Sequence, residues 1–163
     1  MGARVERQGV DERIGLLLEI LDQAFDRKGW HGTTLRGSLR GITPEQALWR
    51  PARGRHNMWE LTVHAAYWKY AVRRRLAREP RGSFPLHGSN WFSRDVADER
   101  QWRGDVRLLD DMHRQLRAAI GSIYLKRATL LDRGETPLSL IAGIIAHDLY
   151  HAGQIQLLKR LRT

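Results

Sequence analysis

The chain has 163 residues, 42% of them hydrophobic, six tryptophans and a formal net charge of +10. That length and apolar content suit a single folded domain spanning residues 1–163 and argue against global disorder. The absence of cysteine excludes disulfides, thiolate metal ligands and a nucleophilic protein thiol, and suits a reducing cytoplasm.

The opening Met1–Glu6 has no apolar run that would serve as a signal peptide, and Glu6 stands where a myristoylation motif wants Ser or Thr. No segment approaches the roughly 20 apolar residues needed to span a bilayer. The expectation is a cytoplasmic protein with no membrane partner. The 28 basic residues are dispersed except for Arg73, Arg74 and Arg75, followed by Arg78 and Arg81. That run closes a predicted helix, where cations favour the negative end of the helix dipole. No helix-turn-helix signature or aromatic-basic RNA motif accompanies it, so nucleic acid is not an expected partner.

Four long helical segments carry the chain. In the first, Ile14, Leu17, Leu18, Leu21 and Phe25 recur at helical spacing before Gly29. A glycine-rich connection follows, in which Thr43-Pro44-Glu45-Gln46 reads as a cap, a first-turn proline and a capping-box glutamine for a short helix ending at Trp49-Arg50-Pro51. The second long helix is predicted from near Asn57 to about Arg78, with Leu61, His64, Ala65, Trp68, Val72 and Leu76 inward. Residues 80–90, holding Pro80, Gly82, Pro85 and Gly88, read as a loop. The third helix is predicted from roughly Ser93 to Tyr124, with Trp102, Leu109, Met112, Leu116, Ile120 and Ile123 inward, and Thr136-Pro137 opens a fourth that continues to about Leu161. No stretch alternates as a strand does. The expected fold is an all-α four-helix bundle.

The most informative feature lies in the fourth helix. His147 and His151 are four residues apart within a stripe of Leu140, Ile144, His147, His151, Gln154 and Leu158. Such spacing is about 6 Å of rise and puts both imidazoles on one face. Buried histidines need partners; a pair so placed can share one transition-metal ion or be satisfied singly by backbone. A third ligand should sit on another helix and point inward. His64 meets both conditions, three residues after Leu61 and four before Trp68, and His113 beside Met112 is the reserve. His31 and His87 fall in glycine-containing loops, and His56 just precedes a helix. Three imidazoles suit Zn, Ni, Fe or Cu and leave coordination positions open. Glu60, one turn before His64, reads either as a further ligand, a supporting hydrogen-bond partner or proton acceptor, or as a plain surface carboxylate. Gln154, three residues after His151, reads either as a partner to a ligand or substrate, or as a polar helix edge.

These segments together resemble the DinB-like family of metal-binding four-helix-bundle proteins. The resemblance rests on Trp49-Arg50-Pro51 with Arg55-His56-Asn57-Met58-Trp59-Glu60-Leu61, on His64 with Trp68, and above all on Gly143-Ile144-Ile145-Ala146-His147-Asp148-Leu149-Tyr150-His151-Ala152-Gly153-Gln154-Ile155. It implies a non-sequential helix order, frequent homodimerisation and a divalent metal (Zn, Ni or Fe) on His64, His147 and His151. Characterised relatives include metal-dependent transferases and an isomerase that use low-molecular-weight thiols such as bacillithiol or mycothiol. The family name refers to damage-inducible expression, not to a DNA polymerase.

Two classes of function follow. One is a metal-dependent enzyme, foremost one that transfers a low-molecular-weight thiol co-substrate to an electrophilic small-molecule substrate; a hydrolase using water at the metal is its variant. In either, Glu60 and Gln154 are the candidates for orienting the reacting groups. The other is a non-catalytic stress-response or partner-binding helical protein whose metal is structural, which a closed ligand set would favour.

Overall fold

A computed structural model describes residues 12–123, 131 and 134–162. Six helices appear among them: α1 (Glu12–Phe25), α2 (Leu35–Ser38), α3 (Pro44–Leu48), α4 (Met58–Leu76), α5 (Glu99–Gly121) and α6 (Pro137–Arg162). No strand is present among the described residues, and the fold is all-α.

The helix starts follow local capping chemistry. Thr43 and Gln46 form the anticipated reciprocal box at α3, and Asn57 with Glu60 forms another at α4. α4 ends at Leu76, and Arg78 turns into the left-handed region (φ 56°), which stops the helix before Pro80. α5 begins six residues later than predicted from Ser93. The 93–97 segment is instead a non-helical strap on the bundle: Arg94 donates to Asp105 at 2.8 Å, and its carbonyl accepts from the Asn57 side chain at 3.3 Å. Asp98 then caps α5 by accepting from the Gln101 amide at 2.7 Å. Tyr124, the expected end of that helix, lies outside the described residues.

The four long helices close a ring in which α4 packs against α5 and α6, and α1 packs against the same two. Consecutive long helices α1 and α4 therefore lie across a diagonal, which requires the long connection 26–57 with its two short helices. α4 is the central element: every residue from Met58 to Ala66 is buried. Trp59 and Trp102 pack edge to face at 5.2 Å, and each satisfies its indole N–H, on Asp105 and on the Ile42 carbonyl respectively.

On α6 the buried face is Ile141, Ile144, Ile145, Asp148, His151, Ala152, Ile155 and Leu158. Of the predicted stripe, Ile144, His151 and Leu158 are buried, and Leu140, His147 and Gln154 lie at the edge of that face. Asp148 sits in the deepest register because it pairs with Lys69 of α4; both side chains are 0% exposed. The helix faces that meet around this pair carry the histidines on their shared border.

Candidate metal centre

His64 comes from the buried half of α4, and His147 and His151 from successive turns of α6. The structure brings the three together with their Nε2 atoms converging: His147 Nε2 lies 3.2 Å from that of His64 and 3.0 Å from that of His151. Together they form a group that can hold a metal ion.

The outer ring nitrogens fix the tautomers. His64 Nδ1 donates to the Asn90 backbone carbonyl at 2.9 Å, and His151 Nδ1 to the Gln154 side-chain carbonyl at 2.6 Å. The Nε2 atoms of both rings are consequently bare lone pairs. His147 can place a proton toward one of them at most, so at least one contact sets lone pair against lone pair. A cation relieves that repulsion. Metal–imidazole bonds of about 2.0–2.1 Å at angles between octahedral and tetrahedral separate ligand nitrogens by roughly 2.9–3.4 Å, and both distances from His147 fall in that range.

Burial also keeps the rings neutral, as ligation demands. Desolvation foremost, then the neighbouring imidazoles, pushes His147 down to about 3. Burial likewise lowers His151 to about 4, against the opposing bond to Gln154, and holds His64 below its ordinary value.

The three rings line a cleft of about 630 Å³ whose other walls are largely apolar, among them Pro51, Leu61, Trp91, Tyr150 and Leu157. That size falls within the range of small-molecule sites. Trp91 is sandwiched between His64, at 3.8 Å, and His56, at 3.5 Å, both nearly parallel to it.

Glu60 does not join the cluster. It is buried rather than a surface carboxylate, and both its oxygens are taken by the Arg50 fork at 2.6 and 2.7 Å. His56 Nδ1 adds a further contact at 3.0 Å. These partners hold the Glu60 carboxyl below its ordinary value despite burial. Gln154 accepts directly from His151 of the cluster. His113, the reserve, is a core residue stacked on Phe25 at 3.7 Å with its Nδ1 3.4 Å from Lys69 Nζ. Burial and the Lys69 charge push it down to about 3. His87 is exposed in its loop.

Sequence reasoning missed Asn90, which anchors α4 at two points. Besides accepting from His64 through its backbone, it accepts the Trp68 indole N–H on Oδ1 at 2.9 Å, from a left-handed backbone (φ 63°) that asparagine tolerates better than most residues. A loop asparagine carries no periodic signal; its only mark is its place beside Gly88 and Trp91.

A family model of the DinB superfamily matches residues 7–155. The chain belongs to that superfamily. No curated protein and no solved structure matches it.

Proposed function

We propose that this protein is a metal-dependent enzyme that transfers a low-molecular-weight thiol to an electrophilic small molecule in the histidine cleft. The observation that carries the reading is the convergence of three imidazole Nε2 atoms, two of them bare lone pairs, at an apolar cleft, with no fourth ligand in the group among the described residues. A divalent ion there would supply the positive charge that lowers the pKa of a thiol or water group.

The chain's own residues do the rest. Asn90 and Gln154 hold two ligand rings in the tautomer that exposes Nε2. Trp91, Tyr150 and Leu157 offer apolar surface for the body of a substrate and exclude water from it. The lack of cysteine leaves the thiol to arrive as co-substrate, and similarity to thiol-using relatives favours that chemistry over hydrolysis. Holding both reactants in one cleft converts an encounter in solution into a positioned one.

The test uses protein purified without nickel affinity. Elemental analysis is expected to find one divalent ion per chain in the parent and little in His151→Ala. A panel of electrophiles with several thiols is expected to turn over only with the metal-loaded parent. Equal rates in both proteins would overturn the enzymatic reading, and equal metal content would overturn the ligand set.

We further propose a homodimer, in line with the family resemblance. Leu16 and Ile20 of α1 and Leu157 and Leu161 of α6 are exposed at i,i+4 spacing and offer apolar strips to a partner. Sedimentation is expected to show a dimer at micromolar concentration, and a monomer alone would remove the proposal.

A further inference from the structure

A second cavity, of about 660 Å³, lies between the later turns of α4 and the 81–90 loop. It shares no lining residue with the histidine cleft, although Asn90, which lines it, also supports His64. Arg74 is ten residues beyond His64, about 15 Å along the helix, so the arginine end of the cavity lies away from the histidines, while Trp68 at its other end packs against His64 and His147 at 6.3 Å.

The lining has two chemistries. Arg74, Arg75 and Arg81 bring three guanidiniums to it, and no aspartate or glutamate lines it. Arg75 is engaged by Glu135. Arg74 spends one nitrogen on the Glu79 carbonyl at 2.9 Å, and Arg81 has no hydrogen bond or ion pair among the described residues. Trp68 and Phe84 line the same cavity with aromatic surface. The loop is held in shape: Phe84 packs on Tyr67, Tyr70 and Phe92 at 5.3–5.4 Å, and the Tyr70 hydroxyl accepts from the Gly82 and Ser83 amides at 3.1 and 3.2 Å. A cavity of ligand size, pinned by its own side chains and carrying uncompensated guanidiniums beside aromatic rings, has the character of a binding site.

We propose that this cavity binds a small organic oxyanion with an apolar or aromatic body, its head on Arg81 and Arg74 and its body against Trp68 and Phe84. Guanidinium forks match carboxylate and phosphate geometry, so the head is an oxyanion of one of these kinds. The proposal does not depend on the metal.

The test is a ¹H–¹⁵N NMR titration of the full chain with phenyl phosphate, phenylacetate and inorganic phosphate. Phenyl phosphate or phenylacetate is expected to shift the Gly82, Gly88 and Ser89 amides and the Trp68 indole N–H saturably; whichever binds more tightly names the head group. Arg81→Gln, which breaks no bond in the fold, is expected to weaken binding about three- to tenfold, the share of one exposed charged hydrogen bond. Arg103→Gln, the same charge change on α5, is expected to leave it unchanged. Because phosphate can also seek a metal, the titration is repeated in His151→Ala, where the loop shifts are expected to persist. Absence of saturation, equal affinity in Arg81→Gln, equal affinity for inorganic phosphate, or shifts confined to Trp91 and Gln154 would each overturn the proposal.

Discussion

A hydrogen bond to one imidazole nitrogen fixes the tautomer that presents the other, and two of the three clustered rings have such a bond from outside the cluster, while His147 Nδ1 is buried with no partner among the described residues. Gln154 does this for His151 from one turn along α6, and the Asn90 carbonyl does it for His64 from a loop. Supporting bonds of this kind commonly contribute about 10- to 100-fold in metal affinity. Gln154→Ala is therefore expected to weaken metal binding about tenfold or more in chelator competition, whereas His87→Ala, in an exposed loop, is expected to leave it alone. An unchanged affinity in Gln154→Ala would show that the bond does not orient the ring. The histidines were legible because helical spacing converts sequence distance into spatial proximity within α6, and because His64 sits in an apolar register of α4. Asn90 was not, because its role depends on where an aperiodic loop crosses a helix.

The two helices that supply the histidines are also joined by a fully buried ion pair, Lys69 on α4 to Asp148 on α6, next in sequence to His147. Burial pushes the Lys69 ammonium down and the Asp148 carboxyl up, and their mutual attraction opposes both shifts. Removing one partner of such a pair leaves a buried charge and typically costs about 3–5 kcal/mol, while replacing both with apolar groups is often near neutral. Lys69→Met is expected to lower the urea midpoint sharply, and Lys69→Met/Asp148→Leu to recover most of the loss. Similar destabilisation in the double variant would mean that packing volume, not charge compensation, decides this contact. The pair was not read from the sequence: the predicted stripes pass through Trp68 and His147, one position to the side of Lys69 and Asp148, which the structure buries. The start of α5 was not legible. The 93–98 segment passes for helix by composition and is diverted by Arg94 reaching Asp105 eleven residues later.

At the scale of the whole bundle, the ring order places the long helices so that several imidazoles are buried neutral at once. His113 and His147 are lowered to about 3 and His151 to about 4, against about 6.5 in an unfolded chain. The folded values lie below the unfolded one, so between them the unfolded state binds more protons and stability falls as pH falls. The contribution is fully present above about pH 6.5 and drains toward pH 4 and then 3, at a ceiling of about 1.4 kcal/mol per pH unit for each imidazole. Asp148, raised by burial, acts in the opposite sense, since its folded form binds a proton more readily than the unfolded chain, so the histidine share is read from the difference between the parent and His113→Gln. Metal-free protein is therefore expected to lose urea stability steeply from pH 6.5 to 4. His113→Gln is expected to flatten that slope by about one proton's share while leaving metal content unchanged. His113 lies on α5 within the core rather than in the metal group, so this variant isolates the burial effect from ligation. A pH-independent midpoint over that range, or an unchanged slope in His113→Gln, would mean that the imidazole gains a proton without unfolding the core around it.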